Sequence, residues 1–159
     1  MRTTRITRSL GVVAAAAGLL FSTAGSAQAA SAPYGRYAYE GVYPGSTPCS
    51  GRYYLPSDVP GGATRSVSYA GRTVTLKYYY NGGCGSFARI ENAPTDCEAY
   101  LDRSDDGGAT WVNVSEQVES GLNYAYTKMG NNLNGRYSRA ALVCGLGSTG
   151  VVLARTNWY

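Results

Sequence analysis

Six carboxylates in the second half of the chain are the residues with which this sequence could do acid–base chemistry: Glu91, Asp96, Glu98, Asp102, Glu116 and Glu119. Hydrolysis of a glycosidic bond needs two carboxyl groups flanking that bond. Glu98 and Asp102 lie on one candidate strand at even spacing, so they share a face. They are read here as solvent-facing strand charges, some paired with Lys77, Arg89 or Arg103, an arrangement that contributes little at a surface. The chain contains no His. That removes Ser-His-Asp and Cys-His catalysis, His-based ribonuclease chemistry and most catalytic zinc sites. The four Cys show no CxxC spacing and are expected to be oxidised, which leaves neither a zinc site nor a thiolate nucleophile. Asp102-x-Ser104-x-Asp106-Gly107 begins like a calcium loop, but the twelfth position is Asn113 rather than a bidentate Glu. The protein is therefore read as non-catalytic, with no cofactor and no metal.

Aromatic residues are the other functional candidates. All 15 Tyr follow residue 29, and Tyr78, Tyr79 and Tyr80 are consecutive. On a strand, Tyr79 points away from Tyr78 and Tyr80. One face is expected in the core and the other in solvent, where rings can stack on sugars or on a partner protein. Tyr78, Tyr79, Tyr80 and the C-terminal Trp158 are the candidate binding residues. Strand filling is the competing explanation, because Tyr suits half-buried sheet positions.

The elements that must position these residues read as β. Turn signals recur at Pro60-Gly61-Gly62, Ala70-Gly71, Asn81-Gly82-Gly83, Asp106-Gly107-Gly108, Asn134-Gly135 and Gly145 to Gly150. Between them, Thr73–Tyr80 alternates most clearly, with Val74, Leu76, Tyr78 and Tyr80 on one side. Further strands are expected over 86–92, 98–103, 110–114, 122–128, 137–144 and 151–158. About seven or eight short strands with local turns predict a small antiparallel β-sandwich or barrel. Cys49, Cys84, Cys97 and Cys144 imply two disulfides with three connectivities open. Cys49–Cys84 with Cys97–Cys144 is preferred, each worth roughly 3–4 kcal/mol in the chain-entropy view.

The N-terminus sets the compartment. Arg2, Arg5 and Arg8 form a basic region, Leu10–Phe21 an apolar one, and Ala27-Gln28-Ala29 a small-x-small cleavage site. This pattern predicts a secretory signal peptide over 1–29, hence a secreted, extracellular protein. A lead-in at 30–48, rich in Gly, Pro, Ser and Tyr, is expected to be flexible, with Tyr37, Tyr39 and Tyr43 available to dock it. A single disulfide-bonded β domain is expected over 49–159. Without the signal the chain has 130 of its 159 residues, and its 14 basic side chains lose those three Arg, leaving 11 against 10 acidic ones. That balance argues against nucleic acid, which selects a clear basic excess. No second apolar run approaches the roughly 20 residues of a membrane span, so no membrane is expected after cleavage.

Ser104-Asp105-Asp106-Gly107-Gly108-Ala109-Thr110-Trp111 fits Ser-x-Asp-x-Gly-x-Thr-Trp. It resembles the Asp-box, the hairpin motif repeated in sialidase-type propellers. The resemblance implies a turn: Ser104 and Asp106 binding backbone amides, Gly108 taking a conformation other residues resist, and Thr110 and Trp111 completing it, with Trp111 packed beneath. It does not imply an activity, since family Asp-boxes sit away from the catalytic centre and a sialidase carries several. The segment Val74–Ile90, VTLKYYYNGGCGSFARI, is similar to part of a small family of exported Gram-positive proteins of unknown function. Cys144, after Arg139-Ala140, matches their C-terminal Cys. Phe87 stands where that family commonly has Trp, and extra residues separate Tyr78 from Cys84.

These readings predict a non-catalytic binding module for the cell envelope or another glycan. The alternative is a proteinaceous inhibitor of an extracellular hydrolase, presenting the loop 81–86 held by Cys84. A small carbohydrate-active enzyme using Glu98 and Asp102 is a third reading.

Overall fold

The computed structural model describes residues 32–147 and 149–159. The signal peptide and its cleavage site lie outside the described residues. The chain forms eight strands: β1 Thr64–Tyr69, β2 Arg72–Asn81, β3 Gly85–Glu91, β4 Cys97–Ser104, β5 Val112–Gln117, β6 Tyr124–Tyr126, β7 Tyr137–Cys144 and β8 Val151–Arg155. They build two antiparallel four-stranded sheets, ordered β1-β2-β3-β6 and β5-β4-β7-β8. The sheets remain separate, so the sandwich is realised and the barrel is not.

The core lies between the sheets and follows the two-residue period. Val74, Leu76 and Tyr78 of β2 and Ala88 and Ile90 of β3 meet Ala99 and Leu101 of β4 and Ala140 and Leu142 of β7. The one hydroxyl among these larger side chains is satisfied. Tyr78 Oη lies 2.6 Å from Ser138 Oγ and accepts from Asn132 Nδ2 at 2.8 Å, and Ser138 Oγ also meets Ser86 Oγ at 2.7 Å. Burial without such partners would cost the phenol its hydration uncompensated.

Both disulfides have the preferred pairing. Cys97–Cys144 joins directly opposed residues of β4 and β7. Cys49–Cys84 ties residue 49 to the β2–β3 turn, over a small cluster with Phe87 and Met129.

Most strand bounds differ from the expectation by a residue or more, and four differences have a local reason. β1 went unrecognised because Thr64–Tyr69 carries apolar side chains only at Val67 and Tyr69 and lies at a sheet edge. β5 starts at Val112 rather than Thr110, because the Thr110 N–H and hydroxyl are bound to the Asp106 carboxylate. β6 and β8 are shorter than expected because a threonine hydroxyl takes over an acceptor role in each ladder. Ala88 N donates to Thr127 Oγ1 at 3.1 Å, and Ala140 N donates to Thr156 Oγ1 at 3.0 Å. Side-chain oxygens compete here with the backbone carbonyls that a regular strand would use. Past Thr156 the pairing resumes: Tyr159 and Ser138 exchange both backbone bonds at 3.0 Å.

Residues 32–48 are docked rather than extended as an edge strand. They form turns and a short 3₁₀ helix, Pro44–Ser46. Gly41 N donates to Met129 O at 3.0 Å, and Met129 N donates back to Val42 O at 2.8 Å. Glu40 and Arg103, both side chains fully buried, form an ion pair at 2.5 Å. This departs from the flexible lead-in read in the sequence.

Candidate aromatic binding face

The outward face of the β1-β2-β3-β6 sheet carries a row of rings. Register sets Tyr79 of β2 beside Phe87 of β3, and puts Arg89 of β3 beside Tyr126 of β6. Tyr79 and Phe87 stack with centroids 4.9 Å apart and planes 7° from parallel. Phe87 meets Tyr126 edge-on at 6.4 Å, and Tyr126 lies parallel to Tyr124 at 6.4 Å. Two rings from the docked segment and its continuation complete the row: Tyr53 against Phe87 at 5.1 Å, and Tyr43 against Tyr126 at 6.0 Å. Phe87 is 8% exposed, whereas Tyr43 and Tyr126 are 41% and 37% exposed. The one ring without a hydroxyl is thus covered by rings that have one.

Two shallow grooves flank the segment Tyr43–Gly45. One, of about 280 Å³, is lined by Tyr43, Glu116, Glu119, Leu122, Tyr124 and Tyr126. The other, of about 250 Å³, is lined by Pro44, Gly45, Tyr53, Tyr79, Phe87 and Arg89. Tyr43 walls the first by donating its hydroxyl to Glu116 Oε1 at 2.7 Å, and this bond to a carboxylate pushes the phenol up to about 12. It stays a neutral donor across the physiological range. Lys77 and Arg89 both pair with Glu91, at 2.6 and 3.0 Å, beside the row.

The consecutive tyrosines are divided among three environments. Tyr78 is fully buried, and its place in the core corrects the reading of it as a surface binding residue. Tyr79 belongs to the row. Tyr80 is half-buried at one end of the sandwich, with Tyr159 at 5.1 Å and Tyr54 at 5.9 Å.

Trp158 is on the other sheet and does not join Tyr79. The Arg139 guanidinium lies 4.8 Å from the Trp111 ring centre and 4.2 Å from that of Trp158, and Arg139 Nε pairs with Asp102 at 2.8 Å. The adjoining turn closes on its own side chains. Gly108 N donates to Ser104 Oγ at 2.8 Å, Ser104 Oγ donates to Asp106 Oδ1 at 2.7 Å, and the Thr110 hydroxyl donates to Asp106 Oδ2 at 2.7 Å. The Thr110 donors, with that of Ser104, hold Asp106 down at about 2. Gly108 has φ +96°, and a Cβ there would sit 2.3 Å from Trp158 Nε1. Trp111, expected beneath the turn, is instead 44% exposed. Trp158 takes the packed position against Gly108.

Glu98 and Asp102 do share the outward face of β4, with Asp102 engaged by Arg139 rather than facing a second carboxylate. In the loop 81–86, Cys84, Gly85 and Ser86 are buried, leaving Gly82 and Gly83 as its exposed tip. Among the described residues, no group of three or more His, Cys, Asp or Glu could hold a metal, and no helix is long and apolar enough to cross a membrane.

Sequence reasoning reached Tyr79 but missed Tyr124 and Tyr126. Their signal was present: Tyr124-Ala125-Tyr126 puts two rings on one face at period two, with Ala125 turned inward. Tyr43 and Tyr53 reach the row through docking and the Cys49–Cys84 bridge, which no local pattern encodes. Fold and face together define a disulfide-bonded, two-sheet β-sandwich with an aromatic outer surface. In comparison with known proteins, the chain matches no protein-family model, no curated protein and no solved structure.

Proposed function

We propose that this protein is a secreted, non-catalytic binding module for a glycan, of the cell envelope or another extracellular source, and that the ring face of the β1-β2-β3-β6 sheet is its binding surface. The observation that carries the reading is the unbroken row Tyr79–Phe87–Tyr126–Tyr124 with a groove on either side of Tyr43–Gly45. Pyranose rings present flat C–H faces that stack on aromatic rings and hydroxyls that exchange hydrogen bonds at the rim. Tyrosines offer both on one side chain. The two disulfides suit an extracellular setting. The turn at Ser104–Trp111, with its Asp106 and Ser104 bonds, supports the Asp-box resemblance as scaffolding and lies on the opposite sheet.

The test is retention of the oxidised protein on insoluble peptidoglycan, chitin and cellulose, with soluble oligosaccharide as competitor. Tyr126→Phe should keep most of the affinity, because the stacking ring remains, while Tyr126→Ala should lose about tenfold, the worth of roughly one aromatic contact. Failure of every matrix to retain the protein would overturn the reading.

A further inference from the structure

We propose that the groove walled by Tyr43 selects a free primary amino group on its glycan, so that the module prefers de-N-acetylated amino-sugar units to N-acetylated ones. The proposal rests on the glycan reading above and names the ligand class for one part of that face.

The argument is a contrast between the two grooves. They are close in volume and each has aromatic walls, yet their charges are opposite. The groove beside Pro44 carries Arg89 and no carboxylate. The groove under Tyr43 carries Glu116 and Glu119 and no Lys or Arg. Among the described residues, neither Glu116 nor Glu119 forms an ion pair, whereas Glu91, just outside, has two cationic partners. Glu116 spends one oxygen on the Tyr43 hydroxyl, which fixes the carboxylate at the wall. The other carboxylate oxygens are available to N–H donors.

Two rings of this groove already have a cation over them. Lys128 Nζ lies 5.4 Å from the Tyr43 ring centre and Arg89 Cζ 5.3 Å from that of Tyr124. Neither cation lines the groove, so its walls combine electron-rich rings with two uncompensated carboxylates. An ammonium group gains from both, through cation–π attraction and charge-assisted hydrogen bonds. An N-acetyl group has no charge to offer either. A sugar is favoured over a peptide lysine because Tyr124 and Tyr126, both in the groove wall, hold their rings parallel, 5° apart, and offer ring faces that a pyranose can use and a lysine stem cannot fill. The chain without residues 1–29 has 11 basic and 10 acidic side chains, so its overall field does not draw in a polycation. Selection then falls to the groove itself.

The experiment is calorimetric titration of the oxidised protein at mildly acid pH with the glucosamine hexamer and with the N-acetylglucosamine hexamer. The double variant Glu116→Gln/Glu119→Gln is run in parallel, and trilysine is included as a competitor. The glucosamine hexamer should bind about tenfold more tightly, as expected for one desolvated cation contact. The double variant should lose that preference, and its melting temperature, recorded alongside, separates lost selection from a lost fold. Equal affinity for both hexamers would overturn amino selection and leave the glycan reading standing. Absence of binding to either, together with failure on the insoluble matrices, would remove both. Displacement of the glucosamine hexamer by trilysine at equal amine concentration would assign the groove to a cationic peptide and overturn the sugar.

Discussion

Replacing Glu40 by Ala should cost about 3–4 kcal/mol, an effect concentrated in one docked segment. Arg103 is fully buried and has two counter-ions, Glu40 at 2.5 Å and Asp105 at 2.7 Å, with the Tyr37 ring centre 5.0 Å from its guanidinium. Removing one partner of a buried pair costs about 3–5 kcal/mol when the remaining charge is orphaned. Asp105 stays, so the electrostatic part belongs at or below the lower end. Glu40 also accepts from the backbone N–H groups of Gly35 at 2.9 Å, Tyr37 at 3.2 Å and Asn131 at 3.3 Å. The Asn131 amide is buried and loses its partner outright, adding about 1 kcal/mol, while the other two recover water in part. With a slope of about 2 kcal/mol per molar urea, the unfolding midpoint should fall by roughly 1.5–2 M. The double variant Glu40→Leu/Arg103→Leu should be less destabilised than the two single losses sum to, by about 2 kcal/mol or more, since neither Glu40 nor Arg103 is then left buried without the other, and only the partly exposed Asp105 loses a partner. Because Tyr43 follows closely on Glu40 and walls one groove, Glu40→Ala should weaken glycan retention as well. Urea titration of the oxidised proteins decides the matter. A cost under about 1 kcal/mol, or strict additivity in the double variant, would refute the claim that this pair holds residues 32–48 in place.

Three further outcomes are expected. Gly85→Ala should destabilise by about 3 kcal/mol or more, read by urea titration, because φ is +102° and the new Cβ would lie 2.3 Å from the rigid Gly130 carbonyl oxygen. Replacing either disulfide by an Ala pair should remove about 4 kcal/mol by chain entropy, given separations of 35 and 47 residues; loss of Cys49–Cys84 alone should also loosen Tyr53 against Phe87 and reduce glycan retention. On acidification, Asp106 contributes stability that is full above the ordinary carboxylate range and is lost as pH falls toward its folded value of about 2. Melting temperature should therefore drop more steeply over that acid window for the native chain than for Asp106→Asn.

The parts of the fold legible in the sequence are those where one residue type does one job. Thr73–Tyr80 alternates cleanly because Val74, Leu76 and Tyr78 face a core and their neighbours do not. The glycine turn at Ala70-Gly71 reads correctly because both residues adopt positive φ, at 49° and 73°, in the tight link between β1 and β2. Legibility fails where a side chain serves two purposes. Thr127 and Thr156 have ordinary strand propensity, but their hydroxyls replace backbone acceptors and end the regular ladder. Arg103 falls at the core-facing end of β4, where a sequence pattern expects a surface charge; its burial depends on Glu40, far away in a segment that looks unstructured. The aromatic face shows the same division. Tyr79 could be placed by period alone, while the company it keeps depends on strand register and on a disulfide.

The two outward faces of the sandwich show why one of them calls for a functional account. An antiparallel sheet ordinarily turns polar side chains to water. The β5-β4-β7-β8 sheet does so with Glu98, Asn113 and Arg155, and it sets Trp111 and Trp158 against its own Arg139. The β1-β2-β3-β6 sheet adds to its polar Lys77, Arg89 and Glu91 a series of touching rings, of which Tyr43 and Tyr126 are more than a third exposed. Burying such rings would stabilise the fold, at about 25 cal/mol per Å² of apolar surface. Their hydroxyls reduce the cost of exposure and make the face amphipathic. A purely apolar partner would leave those hydroxyls unpaired. A ligand with a flat C–H face and a polar rim would satisfy both halves of each ring, and at one end of the row Glu116 and Glu119 stand without an ion pair among the described residues.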